Sequence, residues 1–224
     1  GLVLYPGRDF AGICYVEDIG FPKQILSQIP VNGFYMDILD LEKFPSRKTD
    51  SNKGDYGKVL VIAGEKNMSG AAYFAARSAY LMGAGLVRIL TVEANRNILQ
   101  TQLPQAMISV WEEQDETSMT DILNWATAVV IGPGIGIGDD IRRRIGLLLP
   151  KIHCPLVIDA DGLNLLAQNE QWYDKIKGQT IVTPHMAEMS RLTGYTLTDL
   201  KNDRGQHACS FAREHALICV LKDS

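Results

Sequence analysis

KVLVIAGEKNMSGAAYFAARSAYLMGAGLVRILT, residues 58–91, is the stretch whose reading decides the fold. It opens on an apolar run, Val59 to Ala63, breaks at Gly64, and continues into a helical pattern near 70–82 that is rich in Gly, Ala and Ser. A second run, Leu86 to Leu90, apolar but for Arg88, closes it. Runs that are apolar throughout, rather than alternating, mark strands covered by helices on both faces. Strand, helix and strand in that order make a βαβ unit with parallel strands.

The same alternation extends toward the C-terminus. Further strands are expected at Met107 to Val110, Ala128 to Ile131, Leu156 to Ile158, Thr180 to Val182 and Leu217 to Leu221. Helices are expected near 93–101, 118–125, 138–149, 161–168, 185–193 and 198–215. The connections are short, so the expected fold is α/β: a three-layer α/β/α arrangement around a mostly parallel sheet. The Gly- and Ala-rich first helix can lie close to that sheet or to a ligand.

Toward the N-terminus the pattern changes. Residues 1–50 start strand-like with GLVLYPG, pass through DIGFPKQIL and then show Pro30, Pro45 and no regular period, as in a linker and lead-in. The chain opens without Met and stops just after the run Leu217 to Leu221, so it is expected to be cut at both ends.

Composition narrows the class. The chain has 224 residues, 46% hydrophobic and 21% charged, with 20 Gly and 9 Pro, which excludes collagen-like and disordered classes. Its net charge of −4 provides no positive field for a nucleic acid or an anionic membrane. The basic cluster Arg142, Arg143 and Arg144 reads best as a solvated helix face. Cys14, Cys154, Cys209 and Cys219 form no CxxC pair and have no His at ligand spacing, so reduced thiols are expected and no metal site is assigned. Apolar runs are too short to span a bilayer, and a cytoplasmic protein is expected.

In an open parallel sheet, ligands sit beyond the carboxyl ends of the strands, so the loops after the apolar runs carry the chemistry. Ala63 to Ala72 places Gly64, Ser69, Gly70 and Ala71 ahead of a helix start, where free N–H groups can meet an anion or a carboxamide; a tight strand-to-helix turn is the plainer reading. Neither GxGxxG nor GxxxxGK[ST] is present at this position. Gly132 to Asp139 holds four glycines in seven residues, which points to a close backbone approach and a binding loop. In Val157 to Asn164, Asp159 and Asp161 can orient a polar ligand or reach hydrated magnesium; alternatively, Asp161 caps the next helix and Asp159 holds a loop amide. Thr183 to Glu188 sets the imidazole of His185 at a helix start on the same edge. His153, His207 and His215 lack such a setting and are read as surface or packing residues. GxSxG and HExxH are absent.

Taken in order, KGDYGKVLVIAGEKNMSGAA, GAGLVRILT, NRNILQTQLPQA, VVIGPGIG, PLVIDADGLNLLA, TIVTPHMAEMSRLTG and VLK resemble the ADP- or ATP-dependent NAD(P)H-hydrate dehydratases of the ribokinase-like superfamily, over about residues 50–222. The lead-in GLVLYPGRDFAGICYVEDIGFP resembles the junction behind an NAD(P)H-hydrate epimerase domain in bifunctional bacterial proteins. The resemblance thus implies a junction at 1–25, a linker at 26–50 and a dehydratase domain at 51–224.

It also implies an activity: hydrated NADH or NADPH is phosphorylated on its ring hydroxyl by ADP or ATP, with Mg2+, and phosphate is eliminated to restore the dinucleotide. Bacterial members typically turn ADP into AMP and phosphate. By position, Ala71, Gly134, Asn164 and His185 match the substrate-binding places, and Lys222 opens the adenine-nucleotide segment. The family reads HPGE where this chain has His185-Met186-Ala187-Glu188. Beyond Lys222 the family has a glycine-rich loop ending in a catalytic aspartate. The resemblance assigns no counterpart here, so the catalytic residue is unknown and the 224 residues alone are expected to be inactive. A homo-oligomer, a tetramer by resemblance, is also implied. Another ribokinase-like kinase of a vitamin or sugar alcohol, and a non-catalytic dinucleotide-binding fragment, are the alternative readings.

Overall fold

The computed structural model describes residues 2, 7–29, 38–43, 45–176 and 179–222. The chain divides into two units, Gly1–Asp50 and Ser51–Ser224. In the first, the described residues include two short helices, α1 (Gly7–Ala11) and α2 (Lys23–Leu26). Large apolar side chains such as Phe10 and Val16 are exposed there. Of the strand-like opening expected at residues 1–7, only Leu2 and Gly7 lie within the described residues.

The second unit follows the expected alternation. Its strands are β1 (Lys58–Ile62), β2 (Leu86–Thr91), β3 (Met107–Val110), β4 (Ala128–Ile131), β5 (Leu156–Ile158), β6 (Thr180–Val182) and β7 (Ile218–Cys219). They form one sheet in the order β3-β2-β1-β4-β5-β6-β7, parallel at every pairing. Between them run α3 (Ser69–Leu81), α4 (Arg96–Gln102), α5 (Glu116–Trp125), α6 (Asp139–Leu148), α7 (Asp161–Ala167), α8 (Met186–Thr193), α9 (Leu197–Asn202) and α10 (Arg204–Glu214).

The chain moves one way from β1 to β3 and the other way from β4 to β7. Because crossovers are right-handed, that reversal puts α3 and α4 on one face and the helices after β4 on the other. A reversal of this kind, here at β1 and β4, marks the edge where open parallel sheets bind ligands. Leu60, Val61 and Ile62 of β1 are all fully buried, on both faces of the sheet. Ala72 and Ala76 of α3 are fully buried too, so the helix axis comes close to the sheet, as its composition implied.

One expected helix is two. The helix read over 198–215 breaks at Asp203 (φ −150°, ψ 72°), whose carboxylate accepts the Gln206 N–H at 3.0 Å. An aspartate that caps a following helix also ends the preceding one, because both cannot share its extended backbone.

The thiols differ in environment. Cys14 and Cys209 are exposed and unpaired, while burial pushes the Cys154 thiol up and raises Cys219 to about 11. At pH 8 only about one Cys219 in a thousand is then thiolate, the reactive form. A disulfide-exchange thiol reagent is expected to label Cys14 and Cys209 quickly and Cys154 and Cys219 slowly, with Cys219 speeding up as pH rises. Four equal rates in the folded protein contradict this burial pattern.

Candidate functional site

The loop after β1 is held from below by two buried polar residues. Thr91 Oγ1 donates to the Gly64 carbonyl at 2.8 Å, and Asn95 Nδ2 donates to the carbonyls of Gly64 at 3.2 Å and Glu65 at 3.1 Å. Both side chains are buried, so their polar groups fix this loop instead of meeting water. Sequence reasoning missed them. The available signal was two polar residues four apart where an apolar strand ends.

From the other side, the glycine loop after β4 is joined to the β1 loop by backbone hydrogen bonds. The Gly64 N–H donates to Pro133 O at 2.9 Å and the Glu65 N–H to Gly134 O at 2.5 Å. Gly134 lies in the left-handed region (φ 60°) directly over the start of α3, where a Cβ would meet Ala71 Cβ at 2.9 Å and Met68 Cβ at 3.1 Å. Ala71 and Gly134, singled out separately, are therefore in contact across the switch point. No side chain caps α3 at Met68; the Ala71 N–H donates to Met68 O at 3.2 Å, and the Ser69 and Gly70 N–H groups at the helix start suit a ligand oxygen.

The loop after β5 spreads its two aspartates. Between them Ala160 has φ 51° and ψ −121°, a conformation seldom adopted by a residue with a side chain. Asp159 Oδ1 accepts Thr183 Oγ1 at 2.8 Å and Lys222 Nζ at 2.6 Å. Asp161 turns the opposite way, and its Oδ2 accepts the Gly136 N–H at 3.0 Å. This corrects both plain readings: the N-cap of α7 is Ala160, with no side-chain cap, and Asp159 binds side chains rather than a loop amide. Asn164 continues from Asp161, donating to its Oδ1 at 3.4 Å and accepting Arg191 Nη1 at 3.0 Å. Thr183 and Arg191 also escaped the sequence reading.

His185 is the N-cap of α8. Its Nδ1 accepts the N–H groups of Ala187 at 3.1 Å and Glu188 at 3.3 Å, while buried Glu188 reaches back with Oε2 to the His185 N–H at 2.9 Å. The ring proton is thereby on Nε2, which lies 3.4 Å from Glu188 Oε1 on a half-exposed side chain. The substituted His-Met-Ala-Glu sequence builds a reciprocal cap without the Pro-Gly turn. Lys222 lies alongside: its N–H donates to Pro184 O at 2.8 Å, forming a parallel bridge with His185.

Residues from five loops thus meet at one edge of the sheet, with Ala71 and Gly134 at the crevice, His185, Lys222 and Asp159 beyond β5 and β6, and Asn164 between. A GxGD string does occur earlier in the chain, at Gly136-Ile137-Gly138-Asp139, and the structure gives it another role. Asp139 begins α6 with its carboxylate 90% exposed and ion-paired to Arg142. The Arg142–Arg144 run is a helix face paired with Asp139 and Asp140. His207 and His215 lie against Tyr195 and Tyr173, as packing residues do. Among the described residues, no group of three or more His, Cys, Asp or Glu is placed to hold a metal ion, and no helix is long and apolar enough to cross a membrane.

Comparison with known proteins agrees with this architecture. The family pattern described as NAD(P)H-hydrate dehydratase matches residues 59–224. A bifunctional NAD(P)H-hydrate repair enzyme of Thermofilum pendens is 28% identical over 99% of this chain, and the chain spans only 43% of that relative. An ADP/ATP-dependent NAD(P)H-hydrate dehydratase from Bacillus subtilis, co-crystallised with ATP and Mg2+, superposes with a TM-score of 0.67 at 29% identity, over 80% of this chain and 62% of that one. A ribokinase-like superfamily protein from Enterococcus faecalis superposes at 0.74 with 23% identity, covering 87% of this chain and 69% of that one, a likeness of fold. With the pattern spanning most of the chain, and with the sheet and loop order it accompanies, this chain belongs to the NAD(P)H-hydrate dehydratase family.

Proposed function

We propose that this edge binds hydrated NADH or NADPH, with Ala71, Gly134, Asn164 and His185 along the dinucleotide and Lys222 toward the adenine nucleotide. The observation that carries the reading is the convergence of these residues, from loops as much as 151 positions apart in sequence (71 to 222), on the carboxyl edge of one parallel sheet. The uncapped start of α3 suits an anionic pyrophosphate. In the reaction, the ring hydroxyl oxygen attacks the terminal phosphorus of ADP, AMP leaves, and the resulting phosphate departs with the ring C–O bond as a neighbouring carbon loses its proton. A poor leaving group becomes a good one. Mg2+ enters on the nucleotide phosphates, its usual carrier. This chain supplies positioning and charge. The group that takes the proton is not assigned among its residues.

Two measurements test the reading. NADH at about 100 times its dissociation constant is expected to stabilise the 224-residue chain by about 2.7 kcal/mol. Addition of ADP and Mg2+ to the chain with hydrated NADH is expected to give no return of dihydronicotinamide absorbance. His185→Asn keeps a capping side chain and so separates roles: it is expected to fold like the native chain but bind NADH more weakly, whereas His185→Ala also loses about 1 kcal/mol of stability. Absence of NADH binding contradicts the dinucleotide reading, whereas turnover by the chain alone contradicts only its expected inactivity.

A further inference from the structure

A cavity of about 190 Å3 lies on the opposite flank of the switch point from His185. It is bounded by Gly64 and Glu65 after β1, Trp111 and Glu112 after β3, Ile135 of the glycine loop and Arg144 of α6. Gly64 and Ile135 belong to the two loops that hold Ala71 and Gly134, so the cavity adjoins the loops of the proposed dinucleotide site. Three strand spacings separate β6 from β1, about 14 Å, which makes the edge from His185 to this cavity an elongated track.

The charges in the cavity are unequal. Asp140 is matched by Arg144, whose Nε donates to Oδ2 at 2.6 Å, and by Arg143, whose Nη2 donates to Oδ1 at 2.7 Å; these guanidiniums hold the Asp140 carboxyl below its usual range. The Arg144 guanidinium is also stacked 5.4 Å from the Trp111 ring centroid. Glu65 and Glu112 have no cationic partner among the described residues. The Glu65 carboxylate lies against Gly136, and Glu112 Oε1 accepts only the distant Glu93 N–H at 3.4 Å. Two carboxylates without a cationic partner among the described residues suit a group bearing free hydroxyls, because carboxylates accept O–H groups and repel phosphate.

The reacting ring must sit beside the adenine nucleotide, at the Lys222 end of the track. The other end of the dinucleotide is its adenosine, and the one difference between NADH and NADPH is a phosphate on that ribose. We propose that this cavity receives the adenosine half of the dinucleotide, and that Glu65 and Glu112 select hydrated NADH over hydrated NADPH. The inference rests on the dinucleotide reading above.

Isothermal titration of the 224-residue chain with NADH and with NADPH tests it. NADH is expected to bind about tenfold more tightly. The exposed pair is then changed together, Glu65→Gln and Glu112→Gln, which removes charge while keeping groups that bond a hydroxyl. The ratio is expected to fall below about threefold, mainly because NADPH binds better. Equal affinities in the native chain, or a ratio that the double variant leaves unmoved, overturn this inference while the dinucleotide reading stands. A preference for NADPH that Arg144→Gln abolishes overturns it as well, by making Arg144 the phosphate partner. Binding of neither dinucleotide removes both.

Discussion

Gly132→Ala is expected to prevent stable folding of the Ser51–Ser224 unit. Gly132 has φ 127°, a backbone conformation open in practice to glycine alone. A Cβ there falls inside the van der Waals shell of the Asp159 carbonyl oxygen, and also lies 2.8 Å from Gly162 N. These are backbone atoms with nowhere to swing. Relief requires parting the loops after β4 and β5, whose strands pair from Val129↔Leu156 to Ile131↔Ile158. Gly162 cannot give way either, since a Cβ on it would lie 2.9 Å from Ile131 O and the contact is close from both sides. Strain and overpacking together are expected to cost more than about 4 kcal/mol, the uncommon class of single substitutions. That is most of the stability of a typical domain. Gly138→Ala is the control, because nothing lies within 4 Å of its Cβ and its φ is −66°. Urea unfolding followed by circular dichroism should show a lost or strongly lowered midpoint for the first variant and one within about 1 kcal/mol of native for the second, whose position is the N-cap of α6. A midpoint for Gly132→Ala within about 0.5 kcal/mol of native contradicts the close approach.

Gly134→Ala is expected to spare the fold and remove most dinucleotide binding. Its φ of 60° is reachable by alanine at a cost of about 1–2 kcal/mol. The new Cβ presses on Ala71 Cβ and on Met68, whose half-exposed side chain can yield. What changes is the crevice. The methyl group forces the glycine loop away from the first turn of α3, which it already touches, and strains the Glu65 N–H to Gly134 O bond that joins the loops. NADH affinity is expected to fall on the order of a hundredfold, equivalent to about 2.7 kcal/mol. Titration alongside urea unfolding separates the two effects. Native affinity in a folded Gly134→Ala chain places the ligand elsewhere.

Much of the fold was legible because parallel strands buried on both faces write themselves as unbroken apolar runs. Most strands were located that way, Arg88 in β2 and Ser109 in β3 being interruptions, with β7 shorter than its run because only Ile218 and Cys219 pair with β6. The single expected helix over 198–215 failed because helical periodicity survives across a cap, and Asp203 is one polar residue among many. Candidate site residues were legible for a related reason. Glycines, aspartates and a histidine that interrupt apolar runs stand out at strand ends, where ligands bind.

Their partnerships were not legible. Asp159 and Asp161 are two positions apart and look equivalent, yet one is tied to Lys222, 63 residues away, and the other to Gly136. The separating element is the positive φ of Ala160, which no residue type announces. Thr91, just past an expected strand, and Asn95, within the expected helix at 93–101, carried no sign of a role. Only burial made them the support of the Gly64 loop.

By itself, then, the amino-acid sequence determined the α/β class, the strands and the loops that bear chemistry, because hydrophobic periodicity and backbone permissiveness are local properties. Tertiary structure alone decided the strand order with its reversal at β1 and β4, the contact of Gly134 with Ala71, the pairing of Lys222 with Asp159, and the cavity lined by Glu65 and Glu112. Each of these depends on which distant segments become neighbours. That choice is made by the burial of the whole sheet between its helices, and no single stretch of chain encodes it.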